Sequence, residues 1–152
     1  KIDPTYLGLR EKAFEIQPQV ALNNNEQCYA VVVDLPLSKE NFATLFCTFS
    51  DEHVSLYYST GGGLLGINQG NAEVAKAGGS LCFSAGQLIK FAQKTDDFSF
   101  KASQSTAAYL FVRDGIYTMS IPKNPEAAEK PYQFLNFLVQ NVLTEIRKSQ
   151  EK

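Results

Sequence analysis

Apolar residues recur at helical spacing in three stretches of the chain and alternate at strand spacing between them. Tyr6, Leu9, Ala13 and Ile16 share one side of a helix, with Arg10, Glu11 and Glu15 elsewhere around it. Asp3 followed by Pro4 offers an N-cap and then a residue whose φ already suits the first turn. Pro18 ends this helix, and the polar residues 23–27 form a loop. Residues 28–35 are β-branched and apolar on both faces, which predicts a strand covered from both sides and closed by Pro36.

Residues 43–49 and 53–59 predict a hairpin turning at Asp51-Glu52. With those two residues as the loop, Phe49 faces Val54, Cys47 faces Leu56 and Leu45 faces Tyr58, all on one side of the sheet. Phe46, Thr48, Ser50, His53, Ser55 and Tyr57 then take the other side. A second hairpin flanks Asp114-Gly115, the strongest turn signal in the chain. It pairs Val112 with Tyr117, Leu110 with Met119 and Ala108 with Ile121, leaving Tyr109, Phe111, Ile116, Thr118 and Ser120 on the opposite face.

Between the hairpins, Asn71 caps a long helix predicted to reach about Lys94. Its inner stripe is Val74, Gly78, Leu81, Cys82, Ala85, Leu88, Ile89 and Ala92. Gly78, Gly79 and Gly86 each cost about 1 kcal/mol against alanine in a helix. Small residues on that stripe imply that the helix lies close against a sheet or another backbone. Residues 98–103 alternate as a strand, and Pro131 starts a final helix on Leu135, Leu138, Val142, Leu143 and Ile146. The predicted class is α+β: an antiparallel sheet of about six strands flanked by helices, in the order α-βββ-α-βββ-α. Laying Asp51 on Asp114 matches the inward and outward positions of the two hairpins, so a βββα pseudo-repeat is one reading of this order.

The chain has 152 residues and a net charge of −2, enough for one domain with its own core and too balanced for nucleic acid or an anionic membrane as the main partner. No apolar run reaches the roughly 18 residues needed to cross a bilayer. Lys1 rather than Met at the start leaves a segment upstream open, a targeting sequence included. Cys28, Cys47 and Cys82 each sit in an apolar stretch, with no Cys-x-x-Cys pair. The preferred reading is three reduced thiols in a cytoplasmic protein, and the alternative is one disulfide. A single histidine and scattered thiols give no metal site.

Catalytic patterns are equally sparse. His53 is the only histidine; Ser50 and Asp51 are its neighbours in sequence, which does not make a triad. Asp34 interrupts an apolar strand: either it lies at the sheet's rim near Pro36, the preferred reading, or it is buried and needs a partner. Two other features invite a site. Gly61, Gly62 and Gly63 follow a strand and expose backbone N–H groups that can cradle an anion, with Asn71 and the following helix N-terminus adding its dipole. The competing reading is that these glycines only let the chain turn away from the sheet. Phe46, Tyr57, Tyr109 and Phe111 lie on the less apolar hairpin face, where they are covered by the first helix or form an interface.

The string Ser55-Leu56-Tyr57-Tyr58-Ser59-Thr60-Gly61-Gly62-Gly63 before a helix resembles a motif in a family of uncharacterised bacterial proteins of similar length. The likeness spans residues 28–94; it implies a bacterial source and a shared fold and brings no activity with it. The order of elements is also loosely similar to small acidic secretion chaperones and to profilin-like or roadblock modules, which bind other proteins, often as dimers. The sequence therefore reads as a non-enzymatic interaction module without cofactor, binding another protein or itself as a homodimer. The alternative is an anionic-ligand protein or enzyme using the loop at residues 61–66.

Overall fold

The doubly apolar run 28–35 becomes the central strand of the sheet. β1 (Ala30–Pro36) is flanked by β2 (Phe42–Thr48) and β6 (Thr106–Val112), both antiparallel to it. In the computed structural model, which describes residues 1–24 and 26–151, β3 (Val54–Tyr58) and β4 (Gly63–Leu64) extend the sheet beyond β2. β7 (Gly115–Ile121) and β5 (Gln93–Thr95) extend it beyond β6. The seven strands run β4-β3-β2-β1-β6-β7-β5 with β1 at the centre. Three α-helices complete the fold: α1 (Pro4–Ala13), α2 (Ala72–Ala85) and α3 (Lys130–Gln150). No helix among the described residues is long and apolar enough to cross a membrane.

The sheet has one strand more than expected: the glycine segment contributes β4 and residues 93–95 contribute β5, whereas 98–103 form no strand. The two halves of the sheet are connected differently: β1 lies beside β2, whereas β5 pairs with β7 at the far edge, so the hairpins share their alternation without a common βββα order. The alternation at residues 98–103 is genuine without being a strand. Phe98 and Phe100 turn inward and pack in the sheet's second core, but the Phe98 carbonyl accepts from Arg10 Nη1 at 2.5 Å rather than from a neighbouring strand. The loop at 23–27 is where it was expected, with Asn25 outside the described residues.

Both hairpins keep the expected faces while their registers move by two residues. Leu45 pairs with Leu56 and Cys47 with Val54; Leu110 pairs with Tyr117 and Ala108 with Met119. Because side chains alternate with a period of two, an even shift leaves every paired position on its face. In the first hairpin, Thr48 N–H donates to His53 O at 3.0 Å, which closes the loop 49–52 with Glu52 at positive φ. Phe49 thereby leaves the ladder and stands 46% exposed, contrary to its expected pairing with Val54.

Two cores sandwich the sheet. On one face α2 and α3 cover Val31, Val33, Leu45, Leu56, Leu110 and Ile121. The small residues of α2 bring it close: a Cβ on Gly78 would lie 2.5 Å from Val54 Cγ2. The helix does not run to Lys94; it tightens into a 3-10 segment, Gly86–Phe91. A Cβ on Gly86 would stand 1.8 Å from the Glu26 carbonyl, so the chain entering β1 crosses directly over that glycine.

The other face is covered by α1 and the segment 98–100. Asp3 caps α1 through Thr5 N–H at 2.7 Å, and its own N–H donates to Ser59 O, docking the helix start on the end of β3. Asp34 is buried, which corrects the rim reading. Arg10 meets it through Nη2 at 2.8 Å and Nε at 3.1 Å, and Thr44, its partner across β2, donates Oγ1–H to it at 2.7 Å. Thr44 has spent its single proton on the carboxylate, so Tyr6 O–H must be the donor in the 2.6 Å contact with Thr44. Arg10 also lies against the Phe14 ring, 4.8 Å from its centroid.

Removing one member of a buried ion pair strands the other. Asp34→Ala or Arg10→Ala is expected to cost about 3–5 kcal/mol in urea unfolding, and the paired change Arg10→Met with Asp34→Leu to recover most of that loss. Single variants as stable as the parent protein would show that the pair does not hold α1.

Candidate functional site

The structure does not gather the expected site residues. Phe46, Tyr57, Tyr109 and Phe111 are all buried in the second core, so the chain itself covers the face expected to form an interface. The cover is aromatic: Phe14 of the segment after α1 packs edge-on against Tyr109 at 5.0 Å and tilted on Phe111 at 5.6 Å. The sequence points to these rings through their alternation and cannot show that α1 and residues 98–100 both fold over them.

The glycines form a turn. Gly61 and Gly62 have positive φ between β3 and β4, and Gly61 N–H is taken by the Tyr58 carbonyl at 2.9 Å. A Cβ on Gly63 would meet the Leu56 carbonyl at 2.4 Å, which reserves that position for glycine in the ladder. The charge nearest Gly61 is the Asp3 carboxylate, which opposes an anion there. Asn71 does not cap α2 with its side chain; its Nδ2 donates to the Ile67 carbonyl at 2.9 Å. The local geometry therefore supports the turn-forming reading of this loop.

His53 is half-buried. Its Nε2 lies 2.7 Å from Ser55 Oγ, and its ring packs on Phe46 at 5.5 Å. Ser55 is 1% exposed and its oxygen accepts Gly66 N–H at 2.9 Å, so it pins the chain beyond β4 and presents no accessible nucleophile. The hydrogen bond to the Asp51 carboxylate comes from the Thr48 hydroxyl and not from the His53 ring, so no Ser-His-Asp relay is assembled. The three cysteines are free and buried; burial pushes the Cys28 and Cys47 thiols up to about 12 and Cys82 well above its usual value. Thiols so raised stay protonated and unreactive. Among the described residues no group of three or more His, Cys, Asp or Glu side chains could hold a metal ion.

A roomy hollow lies elsewhere, at the end of the sheet where β1 begins. It is a groove of about 790 Å³. Val20, Leu22, Glu26 and Gln27 of the chain leading into β1 form one wall, and Phe49 and Ser50 of the β2–β3 loop form another. Phe83 of α2 and Gln87, Ile89 and Lys90 of the 3-10 segment form the third, with Cys28 and Tyr29 completing it. The volume falls in the range of small-ligand and peptide pockets. Phe83, Val20 and Phe49 are 66%, 59% and 46% exposed, a contiguous apolar surface of the kind that marks an interaction site.

Sequence reasoning missed this groove for identifiable reasons. A two-residue turn puts Phe49 on the core face, and the loop that forms has four residues. Phe83 falls off the buried stripe of α2, a visible signal of an unpartnered aromatic. No family model, curated protein or solved structure matches the chain.

Two outcomes test this assignment of residues. Phe111→Ala should cost about 3–5 kcal/mol of stability, as for a core aromatic, and leave the association state unchanged by light scattering. His53 supplies a pH test. Burial lowers its pKa below 6.5, against the opposing pull of Asp51. The unfolded chain then takes up this proton at higher pH than the folded one, so protonation favours unfolding. The stability involved is complete above pH 6.5 and is lost as pH falls through that value and the lowered folded one. Urea midpoints should fall further on acidification in the parent protein than in His53→Gln; equal falls would remove His53 as the cause.

Proposed function

We propose that the protein is a non-enzymatic binding module that holds an apolar segment of another polypeptide in the groove between Phe49, Phe83 and Val20. The observation that carries this reading is the groove itself: an open apolar hollow of about 790 Å³ whose exposed apolar walls are Phe83, Val20 and Phe49. Leaving such surface in water forgoes roughly 25 cal/mol for every Å² that a partner would cover. The polar residues at its margin favour a peptide over a fully apolar ligand. Gln87 and Ser50 are exposed there, and each side chain can both donate to and accept from a peptide backbone.

Chemistry offers no competing support. The hydroxyl beside His53 is buried, the thiols are held protonated, and the glycine turn uses its N–H at Gly61 internally. Because the aromatic hairpin face is already covered, binding of a partner protein is assigned to the groove and not to Phe46, Tyr57, Tyr109 and Phe111.

Selection from a displayed random-peptide library against the folded protein tests the proposal. Apolar peptides should be enriched, and the double variant Phe49→Ser with Phe83→Ser should bind them at least about tenfold more weakly while keeping its urea midpoint, both residues being exposed. A library that enriches nothing over the double variant would overturn it.

A further inference from the structure

A second hollow lies at the other end of β1, a strand's length from the groove, where β6 begins and β7 ends. It has two compartments that share Pro36, Leu37, Thr106 and Gln140. The first, of about 260 Å³, lies between the sheet and α3, with Leu35, Ala43 and Leu56 on the strand side and Leu143 on the helix side. Those three strand residues are buried members of the core under α2 and α3, so this compartment is a gap in that core. An unfilled apolar gap forfeits the dispersion contacts of the atoms around it.

The second compartment, of about 280 Å³, is polar. Thr106, Lys123, Asn136 and Gln140 line it, and among the described residues none of these four side chains has a hydrogen-bond or ion-pair partner in the protein. Gln104 fixes its outer wall, donating Nε2–H to the Ser38 and Lys39 carbonyls at 3.3 Å each. None of the described residues lining either compartment is acidic, so Lys123 is the one charge the hollow presents. Each compartment alone is small for a ligand site, and the two together reach the usual range.

We infer that this cleft binds a medium-chain monocarboxylate, with its chain in the apolar compartment and its head among Lys123, Asn136 and Gln140. An apolar half joined to a polar half asks for a ligand divided in the same way. One cation matches a head of one negative charge, and the Asn136 and Gln140 amides have N–H groups to donate to the carboxylate oxygens. At the roughly 30 Å³ that a small group occupies in a liquid, the apolar compartment holds a chain of about eight carbons.

Titration calorimetry and NMR with octanoate test the assignment, with octanol and N-acetylleucine as further arms. Octanoate should bind, shift the methyl signals of Leu35, Ala43 and Leu56, and leave those of Val20 in the groove unchanged. Octanol, with the same chain and no charge, should bind about tenfold more weakly. Lys123→Gln should bring octanoate and octanol to within about twofold of each other. Gln140→Trp places bulk at the junction of the two compartments and should abolish binding; both positions are exposed, so urea midpoints should hold. The groove variant Phe49→Ser with Phe83→Ser should bind octanoate as the parent protein does.

No binding of octanoate, or binding that Gln140→Trp leaves intact, would overturn the site. Equal affinities for octanoate and octanol, unmoved by Lys123→Gln, would overturn the carboxylate. N-acetylleucine binding as tightly as octanoate would overturn the acyl chain in favour of the end of a polypeptide.

Discussion

The ion pair between Arg10 and Asp34 is the contact on which the two-sided architecture depends. A carboxylate in the central strand of a sheet covered on both faces is costly unless its charge is met and its lone pairs are filled. Here both conditions hold. The guanidinium reaches both carboxylate oxygens, Thr44 donates to one of them, and Tyr6 donates in turn to Thr44. The remaining arm of Arg10 takes the Phe98 carbonyl. One charged group therefore ties three separate parts of the chain together: α1, the central strand and the segment 98–100. Two of them, α1 and the segment 98–100, cover the aromatic side of the sheet.

The opposite face is built without charge. There α2 and α3 pack by shape, and glycine sets the distance at two points. Gly78 lets α2 settle onto β3, and Gly86 lets the chain entering β1 pass over the end of the helix. The second contact also shapes the groove, because it holds residues 26–28 against the 3-10 segment while Phe83 and Phe49 stand away from the core. The apolar hollow thus lies at the junction of the helical layer and the strand end, outside both cores.

What the sequence makes legible follows from how local each signal is. The cap at Asp3, the strand covered on both sides, the faces of both hairpins and the close approach of α2 are written in neighbouring residues, and the structure has all four. The features that were not legible depend on distant partners. Asp34 looks like a rim residue until Arg10, far along the chain, is known to fold over it. Residues 98–103 alternate like a strand because two phenylalanines point into a core, and alternation cannot show that Arg10 has taken the Phe98 carbonyl. Phe49 turned on the length of one loop. The helix stripe excluded Phe83, yet only the fold brings it opposite Phe49.

The position of Phe49 has a consequence for how such a protein can change. It sits just past the last paired residue of β2, in a loop closed behind it by Thr48 and His53. The Phe49 N–H donates to the Tyr29 carbonyl at 3.0 Å, so a substitution at this position changes the side chain that the loop presents while the backbone stays tied to the sheet. Phe83 lies on the outer side of a helix whose inner side alone meets the sheet. The exposed residues of the groove and the residues of the two cores are thus separate sets, so the groove can change in shape and polarity while the core stays as it is.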